Sequence, residues 1–303
     1  MRGDMLPLYA GLAAGVVSVS WAAIFIKLCG LSAANVAAGR MVLAALLMAP
    51  FGLRPALGTW MTLSRNEVVL LLLAGTSLGL HFAAWVASLS YTSVASSVVL
   101  VTTNPLFVSL GSRFLLKEPL TRRLIGGICV AAAGAACVTW TDSQGPLNGS
   151  PTRLTGDLLA LTGAVLFSGY LLIGRRLRAT LSTAAYAFPI YAIAAGVLSV
   201  LSVGEWGDFS RAEAMDWVYL LLLAVVSTLI GHNFLNWALR YVSSPVVALA
   251  VLGEPVLASG FAYFLLGEEI SIGLAVGGVL ILAGVFWGLT GPLPTGSALG
   301  NRP

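Results

Sequence analysis

Charged residues are scarce in this sequence. Only 9% of its 303 residues are Asp, Glu, Lys or Arg, and 58% are hydrophobic, whereas a soluble domain carries about 25% charged residues. So few charges cannot cover the surface of a water-soluble fold. The composition therefore excludes an ordinary soluble domain and predicts that nearly the whole chain lies in a membrane.

Residues that build metal centres and catalytic sites are also few. The three cysteines, Cys29, Cys129 and Cys137, stand in apolar stretches without paired spacing for a metal site or a disulfide framework. Nucleotide-binding Gly-rich sequences and His-Glu-x-x-His do not occur. We expect no metal, no cofactor and no enzymatic activity. The basic residues form small groups rather than one stripe, so we also expect no nucleic-acid partner.

Apolar runs between charged residues or Pro/Gly breaks predict ten transmembrane helices with short loops. We number them spans 1 to 10, at roughly 6–28, 33–52, 67–89, 93–116, 120–140, 156–174, 183–203, 216–239, 244–266 and 270–290. The runs lack the alternating pattern of a barrel, and hydrocarbon requires backbone polar groups to be satisfied within each segment. The predicted fold is an all-α membrane protein. Its first run is longer than a signal-peptide core, so we expect it to be retained as a helix.

The distribution of Lys and Arg predicts the orientation. Most of them lie on the side shared by the N-terminus, the even-numbered connections and the C-terminus: Arg2, Arg54, Arg65, Arg113, Lys117, Arg122, Arg123, Arg175, Arg176, Arg178, Arg240 and Arg302. The opposite side has Lys27, Arg153 and Arg211. The positive-inside rule then places both termini in the cytoplasm.

An internal repeat divides the chain. Residues 89–134 align without gaps on residues 239–284 with about 14 identities, and Tyr91/Tyr241, Pro105/Pro255 and Glu118/Glu268 keep register. Five helices per half is an odd number, so the second half enters the membrane from the opposite side. The prediction is a 5+5 inverted-topology repeat, as in many secondary transporters. Residues 1–145 form the first five-helix repeat, 146–292 the second, and 293–303 a short cytoplasmic tail.

The acidic residue Glu254 lies near the middle of span 9, next to Pro255. A carboxylate there costs about 2.5–3.5 kcal/mol unless it is paired, solvated or protonated. It is either a group that binds protons or substrate in a wet cavity, or a structural partner of Arg40. Pro255 and its repeat mate Pro105 should kink their helices. The kinks place Glu254 and its equivalent, Asn104, at matching depths.

Further polar and aromatic residues complete the candidate binding site. His81 and His232 begin matching motifs in spans 3 and 8, with Trp85 and Asn236 four residues later on the same predicted faces. Either histidine could relay protons or be a satisfied packing residue. The remaining candidates are Trp21, Arg40 and Tyr170, of which Trp21 and Tyr170 would stack on a substrate or simply pack.

Two other groups receive structural interpretations. Lys27 is close enough to the outer interface to extend its charge into it. Glu118 and Glu268 are interpreted as N-terminal caps or partners of a helix dipole and are left out of the site. Spans 5 and 10 carry glycines that allow close helix approach, either within one chain or in a homodimer: Gly126, Gly127, Gly134, Gly277, Gly278 and Gly284.

These residues resemble a known family. The segments Leu-Ser-Tyr-Thr-Ser…Asn-Pro-Leu-Phe…Phe-Leu-Leu-Lys-Glu and Leu-Arg-Tyr-Val…Gly-Glu-Pro-Val…Phe-Leu-Leu-Gly-Glu are similar to the EamA family of the drug/metabolite transporter superfamily, as are Trp21…Lys27 and Gly39-Arg40. The resemblance implies a ten-helix carrier of the bacterial inner membrane. Its cavity would be lined mainly by spans 1, 3, 4, 6, 8 and 9, and it would often export amino acids or related metabolites. Span 6 departs from span 1: Phe167 and Ile173 stand at the positions that correspond to Trp21 and Lys27.

The leading hypothesis is a secondary active transporter of small organic solutes that works by alternating access. It would be an exporter, with proton coupling through Glu254 and help from His81 or His232. Its partners would be a small-molecule substrate and membrane lipids. The alternatives are a channel-like facilitator and a non-transporting membrane scaffold.

Overall fold

The computed structural model describes residues 6–142, 151–268 and 270–290. The predicted repeat boundary at 145/146 and the predicted tail at 293–303 lie outside these described residues.

Ten helices in the described ranges are long and apolar enough to cross a membrane, as the hydropathy pattern predicts. Six spans are single α-helices: Ala33–Trp60 (span 2), Arg65–Ser88 (span 3), Arg122–Asp142 (span 5), Pro151–Leu177 (span 6), Thr183–Leu201 (span 7) and Ile272–Leu289 (span 10). A 3₁₀ segment, Val203–Arg211, joins spans 7 and 8. Within the described ranges the structure is all-α.

The remaining four spans change geometry part-way through the membrane. Span 1 is Leu6–Ser20 and Ala22–Leu28, and span 9 is Ser244–Val251 and Glu254–Leu266. Span 4 is Val94–Val101 and Asn104–Gly111, followed by a π-helical turn at Ser112–Leu116. Span 8 is Ala214–Leu222, a π-helix at Leu223–His232, and Asn233–Ala238. The breaks in spans 4 and 9 directly precede Pro105 and Pro255, which lack a backbone donor.

Serine side chains fix where many of the helices begin. Each accepts a hydrogen bond from the backbone N–H three residues later, which satisfies a donor that the first turn leaves unpaired. These N-caps are Ser32, Ser64, Ser93, Ser182 and Ser271. The Ser271 cap begins span 10, and Thr121 accepts a bond from the N–H of Leu124 at the start of span 5.

Two sequence interpretations are wrong. Span 2 continues to Trp60 rather than ending at residue 52, because the helix includes Pro50 and Pro55. In a membrane, neighbouring groups can satisfy the carbonyls that proline frees. Glu118 is not a helix cap: its carboxylate pairs with Arg175 at 2.7 Å.

Spans 5 and 10 pack against each other along their glycines. A Cβ on Gly127 would lie 2.5 Å from the Gly284 carbonyl oxygen, and one on Gly134 would lie 2.5 Å from the Gly277 carbonyl oxygen. Only glycine permits this backbone approach. The glycine faces of spans 5 and 10 are therefore used for packing within the chain and are not available to a second copy. The homodimer stays a prediction, and these two faces no longer support it.

Several local features recur 150 residues apart. The breaks follow Val101 and Val251, and the two spans end in left-handed residues, Lys117 with φ 57° and Gly267 with φ 70°. The glycine contacts are also reciprocal: Gly127 meets the equivalent of Gly134, and Gly134 meets the equivalent of Gly127. Such an exchange is what a two-fold relation between the halves requires.

Candidate functional site

A small central cavity of about 30 Å³ lies among the helices. Its walls come from spans 1, 3, 4, 6, 8 and 9, together with Arg40 of span 2. The lining residues are Val19, Ala22, Arg40, His81, Phe82, Trp85, Val101, Thr102, Asn104, Phe167, His232, Leu235, Val251 and Glu254. The breaks in spans 4 and 9 both face this cavity, so the interrupted backbone lies where it borders a polar space rather than lipid.

Glu254 is the acidic residue of the cavity. It is the first residue of the second helix of span 9, with Pro255 after it, and 7% of its surface is exposed. Among the described residues it has no hydrogen-bond or ion-pair partner within 4 Å. A carboxyl group kept in this setting needs a proton, a water or a ligand to offset its desolvation.

Arg40 is the basic residue of the cavity and is 1% exposed. Its Nε donates to the Thr228 hydroxyl at 2.8 Å, and its guanidinium lies 4.0 Å from the centre of the Phe82 ring, a cation–π contact. Its Nη1 is buried without a hydrogen-bond partner. Arg40 is therefore oriented by Thr228 and Phe82, not by a salt bridge to Glu254.

His81 and Trp85 form one aromatic wall of the cavity. Their rings stack at 6.0 Å with an interplanar angle of 9°, as the four-residue spacing on one helix predicts. His81 Nδ1 lies 2.9 Å from the Gly163 carbonyl oxygen. Because a carbonyl only accepts, Nδ1 carries the proton and Nε2 of the neutral ring is left as an acceptor. The Trp85 indole N–H is buried without a partner.

His232 ends the π-helix of span 8. Its ring meets Phe82 and Phe167 edge-on, at 5.4 and 5.8 Å, and its Nδ1 is buried without a partner. The same π-helix carries Thr228, which holds Arg40. π-Helical segments are rare and are frequent at functional sites, and this one carries two residues that contact the cavity groups, Thr228 and His232.

Several cavity residues thus have polar atoms without partners. Among the described residues, these buried atoms are Arg40 Nη1, Trp85 Nε1, Asn104 Oδ1 and His232 Nδ1. An unpaired buried polar group costs about 1–3 kcal/mol, and most such groups are paired in folded proteins. These donors and acceptors lie around one cavity, beside an unpaired carboxyl group, where a polar ligand could satisfy them.

Three predicted site residues lie outside the cavity lining. Trp21, at the break in span 1, stacks on Phe261 with ring centres 4.2 Å apart. Tyr170 donates a 2.5 Å hydrogen bond to Asn236 Oδ1. This pair joins spans 6 and 8 behind the cavity wall, and Leu235 lines the cavity in place of Asn236.

Four residues that shape the site were not among the predicted site residues. Phe82 supports Arg40, Phe167 packs against both histidines, Thr102 lines the cavity and Thr228 bonds Arg40. Phenylalanine and threonine are common in apolar helices and give no signal by themselves. Thr102 was detectable by its place two residues before Asn104, at the proline break.

Comparison with known proteins identifies the family. The profile of the EamA-like transporter family matches this chain twice, at residues 4–140 and 154–290. The chain belongs to the EamA-like transporter family. It is accordingly a multi-pass membrane protein of a transporter family, and the two matches coincide with its two sets of five spans.

Curated relatives of this family member cover most of its length. An uncharacterized transporter of Archaeoglobus fulgidus is 26% identical over 237 residues, covering 77% of each chain. The pseudopaline exporter CntI of Pseudomonas aeruginosa is 28% identical over 221 residues, covering 73% of this chain and 74% of its own. A solved crystal structure, 18% identical, superposes with a TM-score of 0.72 over 94% of this chain and 98% of its own. That likeness concerns the fold alone.

Proposed function

We propose that this EamA-family protein is a secondary active transporter that binds a small organic solute in the central cavity and exports it, with Glu254 as the proton-coupling group. The supporting observation is that an unpaired buried carboxyl group and several unsatisfied polar atoms meet in one cavity between the spans. A purely structural cavity would gain stability from apolar lining instead.

The lining suggests a zwitterionic or amphipathic solute. Glu254 suits an ammonium group, and the free Nη1 of Arg40 suits a carboxylate. His81 and Trp85 offer a flat aromatic surface between them. Amino acids and related metabolites combine these features. Export is supported by the relative named as a pseudopaline exporter.

Alternating access follows if the two sets of five spans are inverted repeats. The reciprocal glycine contacts and the paired left-handed residues support that relation. A cavity between the halves can then open to either side when they rock against each other. The excess of Lys and Arg on one side supports cytoplasmic termini in the cell membrane.

The test compares solutes outside cells that express the wild-type chain and Glu254→Gln at matched membrane levels. We expect a small set of amino acids or related metabolites to accumulate outside only with the wild type. Glu205→Gln is the matched control, because Glu205 is exposed and lies outside the spans. If the wild type leaves the medium unchanged while it inserts and folds, export is refuted, and uptake or a scaffold role replaces it.

A further inference from the structure

A buried ion pair outside the cavity joins three parts of the chain. Arg175 Nε lies 2.7 Å from Glu118 Oε1, and the two side chains are 3% and 4% exposed. Arg175 Nη1 also donates to the Leu239 carbonyl oxygen at 2.5 Å. The second oxygen of Glu118 accepts from the hydroxyls of Ser112 at 2.6 Å and Ser244 at 3.4 Å.

The pair connects spans that also line the cavity. Glu118 follows span 4, Arg175 lies near the end of span 6, and Leu239 and Ser244 flank the connection between spans 8 and 9. At about 1.5 Å per helical residue, Arg175 lies about 12 Å beyond Phe167 of the cavity. Ser244 lies about 10 Å beyond Val251. The pair therefore holds four cavity helices together at one end, which the positive-inside rule predicts to be cytoplasmic.

The opposite end is held differently. There Lys27, at the end of span 1, donates to the carbonyl oxygen of Leu89 at 2.6 Å. Leu89 is the repeat equivalent of Leu239, so the two contacts correspond. Lys27 is exposed, however, whereas Arg175 is 2% exposed. This end also has an ion pair, between Arg153 and Asp157 at 3.6 Å, but both residues belong to span 6, their side chains are 9% and 21% exposed, and they bond to Thr92 and Ser96 at the start of span 4. The Glu118–Arg175 pair, on the predicted cytoplasmic side, joins charges from the ends of two spans and is the more deeply buried of the two.

The geometry points to the Glu118–Arg175 pair as a latch that keeps the cytoplasmic end of the cavity closed and separates when that end opens. This inference rests on the alternating access of the proposed function. A buried ion pair suits a reversible seal, because the desolvation of two charges nearly cancels their attraction. When the end opens, water solvates both charges again, so separation costs less than the contacts suggest.

The experiment measures access to the cavity from each side of the membrane. Thr102→Cys places a reporter thiol in the cavity wall of a chain whose three native cysteines are replaced by alanine. A membrane-impermeant thiol reagent is applied to sealed vesicles of either orientation. With Glu118→Gln added, we expect labelling from the cytoplasmic side to rise about tenfold or more, because the closed state then holds the Arg175 charge buried without its counter-charge, whereas the open state solvates it. Labelling from the other side should not rise.

Two further variants separate a latch from a purely structural pair. Arg176→Gln is the matched control, since Arg176 is the exposed neighbour of Arg175, and it should label like the parent. The exchange of charges, Glu118→Arg with Arg175→Glu, should restore protection. If Glu118→Gln fails to insert, Ser112→Ala with Ser244→Ala weakens the same carboxylate more gently and should raise cytoplasmic labelling by a smaller factor.

Unchanged labelling, or an equal rise from both sides, would overturn the latch. The readout needs no solute, so it fails or succeeds independently of the export test. One-sided labelling that responds to the latch in a chain that exports nothing would refute the exporter and retain the latch. Export by the wild type, without any effect of Glu118→Gln on labelling, would retain the exporter and refute the latch.

Discussion

The glycine contact between spans 5 and 10 gives a quantitative prediction. In Gly127→Ala, the new Cβ would lie 2.5 Å from the Gly284 carbonyl oxygen, 2.8 Å from Gly288 Cα and 2.9 Å from Gly288 N. All three are backbone atoms, so no side chain can rotate away. The helices must separate and lose packing along the whole contact.

Overpacking of this kind costs about 1–3 kcal/mol, and alanine returns up to about 1 kcal/mol through its better helix propensity. The net loss is centred at about 1–2 kcal/mol, which corresponds to a fall in Tm of about 2–3 °C for a chain of 303 residues. In Gly284→Ala, on the other helix, the new Cβ would lie 2.5 Å from the Gly127 carbonyl oxygen, in the same close contact. We expect the double variant to lose less than the sum of the two single losses.

The assay is thermal unfolding of the purified protein in detergent. Gly196→Ala is the control, because no atom lies within 4 Å of its Cβ position in span 7, and we expect it to be neutral or slightly stabilising. If Gly127→Ala unfolds at the same temperature as Gly196→Ala, the close packing of spans 5 and 10 is wrong.

Three further predictions address the ends of the spans and the site. Lys117→Gly should be neutral or stabilise by up to about 1 kcal/mol in thermal unfolding, because it removes left-handed strain, whereas Gly267→Ala should destabilise by about that amount; equal effects would contradict the backbone geometry. Tyr170→Phe leaves Asn236 Oδ1 unpaired and should destabilise by about 1–3 kcal/mol, and unchanged unfolding would show that this bond does not form. Burial raises the pKa of the Cys29 thiol, so its maleimide labelling should be slow at neutral pH and accelerate as pH rises; fast labelling at pH 7 would contradict its burial.

Much of the fold was predictable because hydropathy reports what membrane insertion requires. The ten apolar runs form ten helices, and spans 4 and 9 break just before Pro105 and Pro255, the two prolines predicted to kink them. The end of span 2 was not predictable from Pro50 and Pro55, because proline marks a helix end in water but a membrane helix can continue through it. The π-helix of span 8 has no sequence signature either, since its widened turns depend on tertiary contacts such as that between Thr228 and Arg40.

The site was predictable to the extent that polar residues in apolar helices are expensive. Arg40, His81, Asn104 and Glu254 all line the cavity for that reason. The prediction that Asn236 lines the cavity was wrong because a helix has 3.6 residues per turn. Both the third and the fourth residue after His232 therefore lie near its face, and spacing alone cannot select between Leu235 and Asn236. The Glu118–Arg175 pair could not be found from the sequence, since its partners come from different halves of the chain.

Coupling of solute movement to protonation through Glu254 is tested by counterflow in proteoliposomes that contain the purified protein, with the solute found in the cell experiment and with a proton gradient imposed or absent. We predict saturable counterflow for the wild type and acceleration of net transport by the gradient. Glu254→Gln should keep solute exchange or lose it, but in either case should not respond to the gradient. Non-saturable flux would show that the protein is not a carrier, and a gradient response that survives in Glu254→Gln would show that Glu254 does not couple transport to protons.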